Sequence, residues 1–132
     1  MTPYIPHESE IPVKVVVADD SRAMRMIVVR TLRQAGFDGA EVIECEDGAE
    51  GLAAVKANSP DLVLSDWNMP NMNGIEFLQA LRAEGNNVTF GFVTSEGSDT
   101  MRSQADESGA LFLIAKPFTA DMFAEALKPV FG

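Results

Sequence analysis

Four short stretches hold side chains whose types and spacing could do chemistry: Asp19-Asp20, Asp66, Thr94 and Lys116. Each ends or follows an apolar run, at residues 13–18, 62–64, 88–93 and 111–115. Runs of this length read as buried strands, so all four stretches fall at the carboxyl ends of strands. In an open parallel sheet those ends face the same way, and ligands gather there. Residues far apart in the chain then share one cleft. Asp66 is the candidate reactive residue, because its apolar run stops abruptly at Ser65-Asp66 and gives way to a loop holding Asn68, Pro70, Asn71, Asn73 and Gly74.

Carboxylates gathered in one cleft repel, and two unit charges ~4 Å apart cost roughly 4 kcal/mol at an effective dielectric of about 20. A divalent cation is the simplest remedy. All-oxygen ligands without histidine or thiolate suit a hard ion, and a small set of carboxylates that leaves room for water and a phosphoryl oxygen suits Mg²⁺ better than a Ca²⁺ cage. Lys116 adds a fixed positive charge. A carboxylate nucleophile beside Mg²⁺, an ammonium and a hydroxyl is a phosphoryl-acceptor site, since phosphoryl transfer demands in-line positioning and neutralised equatorial oxygens. The expected product is an acyl phosphate on Asp66.

The elements that must position these residues alternate along the chain. After Asp19-Asp20, a helix with Met24, Ile27, Val28, Thr31, Leu32 and Ala35 on its apolar face runs to a left-handed stop at Gly36. A short strand follows at 41–45. Asp47 with Glu50 resembles a capping box, opening a helix that includes Leu52 and Val55. After the strand ending at Asp66, Asn73 with Glu76 caps a third helix carrying Ile75, Leu78 and Leu81, closed by Gly85. The fourth strand, 88–93, contains Gly91, which lowers its strand propensity. Ser98 starts a helix to Ser108 with Gly109 as its stop, and its apolar stripe is thin: Met101, Ala105 and at most Ser108. Thr119 begins a last helix expected to bury Met122, Phe123, Ala126 and Leu127. Strand and helix alternate five times with short loops, which means parallel strands, right-handed crossovers and a sheet covered by helices on both faces.

Composition narrows the function classes. At 132 residues the chain is one domain, read as a loose tail over 1–12 and a folded unit over 13–132. The hydrophobic share of 46% suits an ordinary globular chain, and no apolar run approaches the ~20 residues that span a bilayer. No secretory signal opens the chain, so a cytoplasmic location without membrane insertion is expected. The formal charge of −10 opposes direct binding to nucleic acid or anionic lipid. One cysteine, Cys45, permits no intrachain disulfide and reads as a small buried residue at a strand end. His7, the only histidine, stands in the tail, with no partner for a metal or nucleophilic site.

With these residues together, the chain resembles the response-regulator receiver domains, and in particular the CheY-like kind. The resemblance is carried by Asp66-Trp67-Asn68-Met69-Pro70-Asn71-Met72 with Gly74, by Val93-Thr94, and by Lys116-Pro117-Phe118-Thr119, and it covers about 13–131. It implies a flavodoxin-like, doubly wound three-layer α/β fold with strand order 2-1-3-4-5. It also implies a stand-alone phosphoacceptor of a two-component pathway, with chemotaxis the pathway it points to first, that takes a phosphoryl group from a histidine kinase or phosphotransfer protein on Asp66. By the same resemblance, Asp20 and Asp66 bind Mg²⁺ with the carbonyl of Asn68, and Asp19 acts through a metal-bound water; Mn²⁺ could substitute. Thr94 and Lys116 contact phosphoryl oxygens, Asn68 and Glu96 tune hydrolysis of the acyl phosphate, and Lys116-Pro117 is a cis peptide. A monomer is implied, switching its affinity for a downstream protein through the face of helix four, strand five and helix five. One position departs from the pattern: Leu113 stands where the family usually has an aromatic switch residue, and Phe112, its neighbour, points to the opposite face of a strand.

Other classes fit less well. A hydrolase with an aspartate nucleophile commonly needs a second acid two residues on, and Asn68 cannot protonate a leaving group. A flavin-binding flavodoxin needs a hydroxyl- or glycine-rich phosphate cradle after strand one, where Asp19-Asp20 repels phosphate in the absence of metal. A constitutive interaction module, or a phosphorelay intermediate, stays open at this level.

Overall fold

The computed structural model describes residues 13–132, so the tail assigned to 1–12, with His7, lies outside the described residues. Five parallel strands, β1 (Lys14–Ala18), β2 (Glu41–Cys45), β3 (Leu62–Ser65), β4 (Thr89–Thr94) and β5 (Phe112–Ala115), form one sheet in the order β2-β1-β3-β4-β5. Alternation sorts their side chains. Val15, Val17, Leu62, Leu64, Val93 and Ile114 face α1 (Arg22–Leu32) and α5 (Ala120–Phe131). Val16, Val63, Phe90, Phe92 and Leu113 face α2 (Gly48–Asn58), α3 (Gly74–Ala83) and α4 (Asp99–Glu107). The expected three-layer, doubly wound architecture is therefore the one observed, and near-continuous apolar strands follow from burial on both faces.

Register brings the chemical residues level. Ala18 pairs with Ser65, so Asp19 and Asp66 leave neighbouring strands side by side; Thr94 pairs with Ala115, so Lys116 lies one step beyond. Each helix opens with a side-chain cap at this edge or just past it: Ser21, Asp47, Asn73, Ser98 and Thr119 accept from the N–H three residues on. Asn73 and Glu76 complete a reciprocal capping box. Asp47 and Glu50 do not, because the Glu50 carboxylate accepts from the N–H of Glu46, one residue before the cap.

Several local expectations need correction. Ile27 and Met122, expected on buried helix faces, are exposed, at 42% and 39% of their area. The α1 stripe is rotated so that Arg25 takes a buried place, flanked by Val28 and Leu32 further along. Helix α1 ends at Leu32, and a wide turn over Arg33–Phe37 carries the chain to Gly36, whose φ of 111° supplies the left-handed stop. The strand β4 forms through Gly91, and the Phe112 ring of the paired residue on β5 lies where a Gly91 side chain would stand.

Helix α4 has the thin apolar stripe expected, with Ala105 its only buried residue. Polar ties add to it. Arg102 donates to the Leu113 carbonyl at 2.9 Å, and Arg82 of α3 donates to the Gly109 carbonyl just past the α4 terminus at 2.8 Å. Among the described residues, no helix is long and apolar enough to cross a membrane.

Candidate functional site

Asp19, Asp20 and Asp66 come together as the sequence suggested. Each offers a carboxylate oxygen, and the three oxygens lie within 4.8 Å of one another. The residues differ in how they are held. Asp19 is 3% exposed; its N–H donates to the Cys45 carbonyl at the end of β2, and its Oδ1 accepts from the N–H of Ser21 at 2.8 Å. Asp20 is exposed, and its carboxylate makes no hydrogen bond among the described residues. Asp66 is half-buried, with Oδ1 accepting from the N–H of Trp67 at 2.7 Å.

Burial and crowding show in the acidities. Desolvation pushes Asp19 up to about 6 against the Ser21 hydrogen bond, with Asp66 adding to the rise and Lys116 opposing it. Asp66 is likewise raised by burial, while hydrogen bonds from Trp67 and Thr94 and the charge of Lys116 pull the other way. These directions mark carboxylates whose burial outweighs the hydrogen bonds and the positive charge beside them. The two ion pairs among the described residues are Arg25–Glu44 and Lys56–Glu84, so Lys116 acts on the carboxylates through space rather than in contact.

Thr94 is fully buried, and its hydroxyl accepts from the N–H of Glu96 at 3.4 Å. Lys116 donates its N–H to the Thr94 carbonyl, and the Lys116-Pro117 peptide is cis. Asn68 and Glu96 are both exposed on the loops that follow Asp66 and Thr94. Trp67 is buried against Phe92, with ring centroids 4.8 Å apart, so it packs below the cleft rather than facing into it. Leu113 is buried toward α4 and Phe112 lies on the opposite face, as strand alternation required.

A search for relatives places this arrangement. The family model for the response regulator receiver domain matches residues 15–128. The chain belongs to the response-regulator receiver family. A Rhizobium etli protein described as "Probable chemotaxis protein CheY" is 35% identical to this receiver domain over 122 residues, 91% of this chain and 93% of that one. Chemotaxis protein CheY1 of Helicobacter pylori is 36% identical over 122 residues, covering 90% and 97%. Among solved structures, chemotaxis protein CheY4 of Vibrio cholerae superposes with a TM-score of 0.78 at 33% identity, covering 90% of this chain and 98% of that one. The receiver is thus of the CheY-like kind, a signalling domain with an acidic pocket able to hold a metal.

Sequence reasoning missed the residues that build the receiver's loops. Asp47, buried at the start of α2, accepts from the Asn71 side chain at 2.7 Å, and Gly48 donates to the Met72 carbonyl at 2.9 Å. Asn71 has a φ of 64°, a conformation asparagine tolerates well. The loop after Asp66 is thereby fastened to a neighbouring helix. Hydrogen bonds from the N–H of Glu50 and the side chain of Asn71 hold the Asp47 carboxyl below its ordinary value. Gly74 is the other fixture, because any side chain there would strike the Asp66 carbonyl and the Phe92 ring. The Asp47-Gly48 pair and the Asn71 of the loop were visible as turn and cap residues, but nothing in their spacing announced that they meet.

Proposed function

We propose that this receiver domain accepts a phosphoryl group on Asp66 in a Mg²⁺-dependent reaction and so controls its affinity for a protein partner. The observation that carries the reading is the cluster of Asp19, Asp20 and Asp66, a donor set of hard oxygens in which burial pushes the carboxyl pKa of Asp19 and Asp66 up. Asp20 and Asp66, with the carbonyl of Asn68, would hold the ion, and Asp19 would act through a bound water. Bound there, Mg²⁺ neutralises charge on the transferring phosphoryl group; Mn²⁺ could take its place.

The chain's own residues do the rest. An Asp66 carboxylate oxygen attacks phosphorus in a phosphohistidine; the P–N bond breaks, its electron pair stays on the histidine nitrogen, and an acyl phosphate forms. The Thr94 hydroxyl donates to one phosphoryl oxygen and the Lys116 ammonium pairs with another. The exposed side chains of Asn68 and Glu96 flank the approach of hydrolytic water and set the rate of autodephosphorylation. The donor is a histidine kinase or phosphotransfer protein, and the similarity to chemotaxis proteins favours a chemotactic pathway. The domain works as a cytoplasmic monomer, without direct contact to nucleic acid. The charge of −10 supports that last point.

The test is intact-mass analysis after incubation with phosphoramidate. The wild type gains one phosphoryl group only when Mg²⁺ is present, Asp66→Asn gains none, and Asp20→Asn gains it slowly. Undiminished single-site labelling of Asp66→Asn would overturn the assignment.

A further inference from the structure

We propose that Arg25 is a positioning residue for the acidic turn, fixing the peptide that joins Asp19 to Asp20 so that the Asp20 carboxylate is aimed at the metal. This inference rests on the metal reading above and assigns a role to a residue outside the acidic cluster. Arg25 lies on α1 with 7% of its area exposed, an unusual place for a guanidinium. Its Nη1 donates to the Asp19 carbonyl at 2.6 Å, and its Nε donates to the Glu44 carboxylate of β2 at 2.9 Å.

The geometry explains why the turn needs such a clamp. Asp19 is fixed at its amide by Cys45 and at its side chain by Ser21. Among the described residues the Asp20 side chain has no hydrogen-bond partner, so its direction follows the backbone that leads into it. The Asp19 carbonyl belongs to the peptide plane immediately before Asp20, and holding that oxygen sets the plane. A planar guanidinium fork suits this task, because one side donates to the carbonyl while the other is oriented by Glu44. The link also spans three parts of the fold: α1 supplies the arginine, the turn after β1 the carbonyl and β2 the carboxylate that orients the arginine.

The sign of the effect separates positioning from simple electrostatics. A cation near three carboxylates competes with a metal ion, so if charge were its only influence, removing Arg25 would tighten Mg²⁺ binding and Arg25→Lys would change nothing. If Arg25 positions Asp20, both substitutions weaken binding, since lysine keeps the charge but cannot make the fork. The measurement is Mg²⁺ affinity by calorimetry and by Trp67 fluorescence, in the wild type, Arg25→Met, Arg25→Lys and Glu44→Gln. Arg25→Met and Arg25→Lys are expected to raise the Kd about tenfold, the scale typical of groups that orient metal ligands, and Glu44→Gln by a smaller factor. The phosphoramidate labelling rate at saturating Mg²⁺ is expected to stay within about twofold of wild type, the recovery at high metal concentration that an affinity defect allows. Should Arg25→Met fail to fold, Arg25→Lys and Glu44→Gln carry the test. Wild-type affinity in Arg25→Lys, or tighter binding in Arg25→Met, overturns the positioning role while leaving the metal site standing. A wild type that binds no Mg²⁺ by either method overturns the metal reading itself, and this one with it.

Discussion

At the scale of single residues, the site is held at an energetic cost in the metal-free protein. Asp19 is desolvated, and its carboxyl is pushed up to about 6 from an ordinary value of 3.8. The native state therefore keeps the Asp19 proton at pH values where the unfolded chain has lost it. Stability from this group is fully present below the unfolded value and falls as pH rises through about 6. Asp19→Asn, which can keep the Ser21 hydrogen bond through its amide oxygen, should stabilise the metal-free protein at neutral pH by on the order of 1–3 kcal/mol. Thermal unfolding checks this, and the variant should also gain less from added Mg²⁺ than the wild type. Asp47 has the opposite sign. Its carboxyl pKa is lowered by hydrogen bonds from Glu50 and Asn71, so its contribution is present above the unfolded carboxyl range and disappears as pH falls through the native value. Asn71→Gly preserves the positive φ but removes the amide, and urea unfolding should show a loss of about 1 kcal/mol.

At the scale of elements, packing rather than propensity decides what each piece can do. A side chain at Gly74 would strike the Asp66 carbonyl, so Gly74→Ala should cost roughly 1–3 kcal/mol in chemical unfolding by forcing the loop after Asp66 to shift. Helix α4 buries little more than Ala105, and Arg102 ties it to β5 through the Leu113 carbonyl. Arg102→Met should accelerate amide exchange across α4 several-fold while leaving exchange in α2 unchanged. The sequence already showed the five strands, the five helices and the strand-end residues, because hydrophobic period, caps and glycine stops are local signals. The α1 face was misjudged because a buried arginine counts as polar in any periodicity, so Ile27 was given a place that Arg25 holds. Met122 was misassigned at the start of α5 for a different reason: an apolar side chain in the first turn can face solvent without breaking the helix. The meeting of Asp47 with Asn71, and of Arg102 with Leu113, depends on distances between elements that no local pattern encodes.

At the scale of the whole molecule, register makes one site from four strand ends. Thr94 ends β4, immediately before the loop that leads into α4, and in the proposed function it is the residue that senses a phosphoryl group on Asp66. Leu113 is buried on the α4 side of β5 and is not aromatic, so in the proposed function the response falls to Thr94 and α4. Leu113→Tyr should accordingly change partner affinity far more than the rate of Asp66 labelling. The most direct measurement is an amide chemical-shift map of the Mg²⁺-loaded protein with and without beryllofluoride, a phosphoryl mimic. The account predicts large shifts around Asp66 that continue through residues 94–108, smaller ones around Leu113, and loss of the α4 shifts in Thr94→Ala with those at Asp66 retained. Shifts that move β5 while leaving α4 still would contradict it.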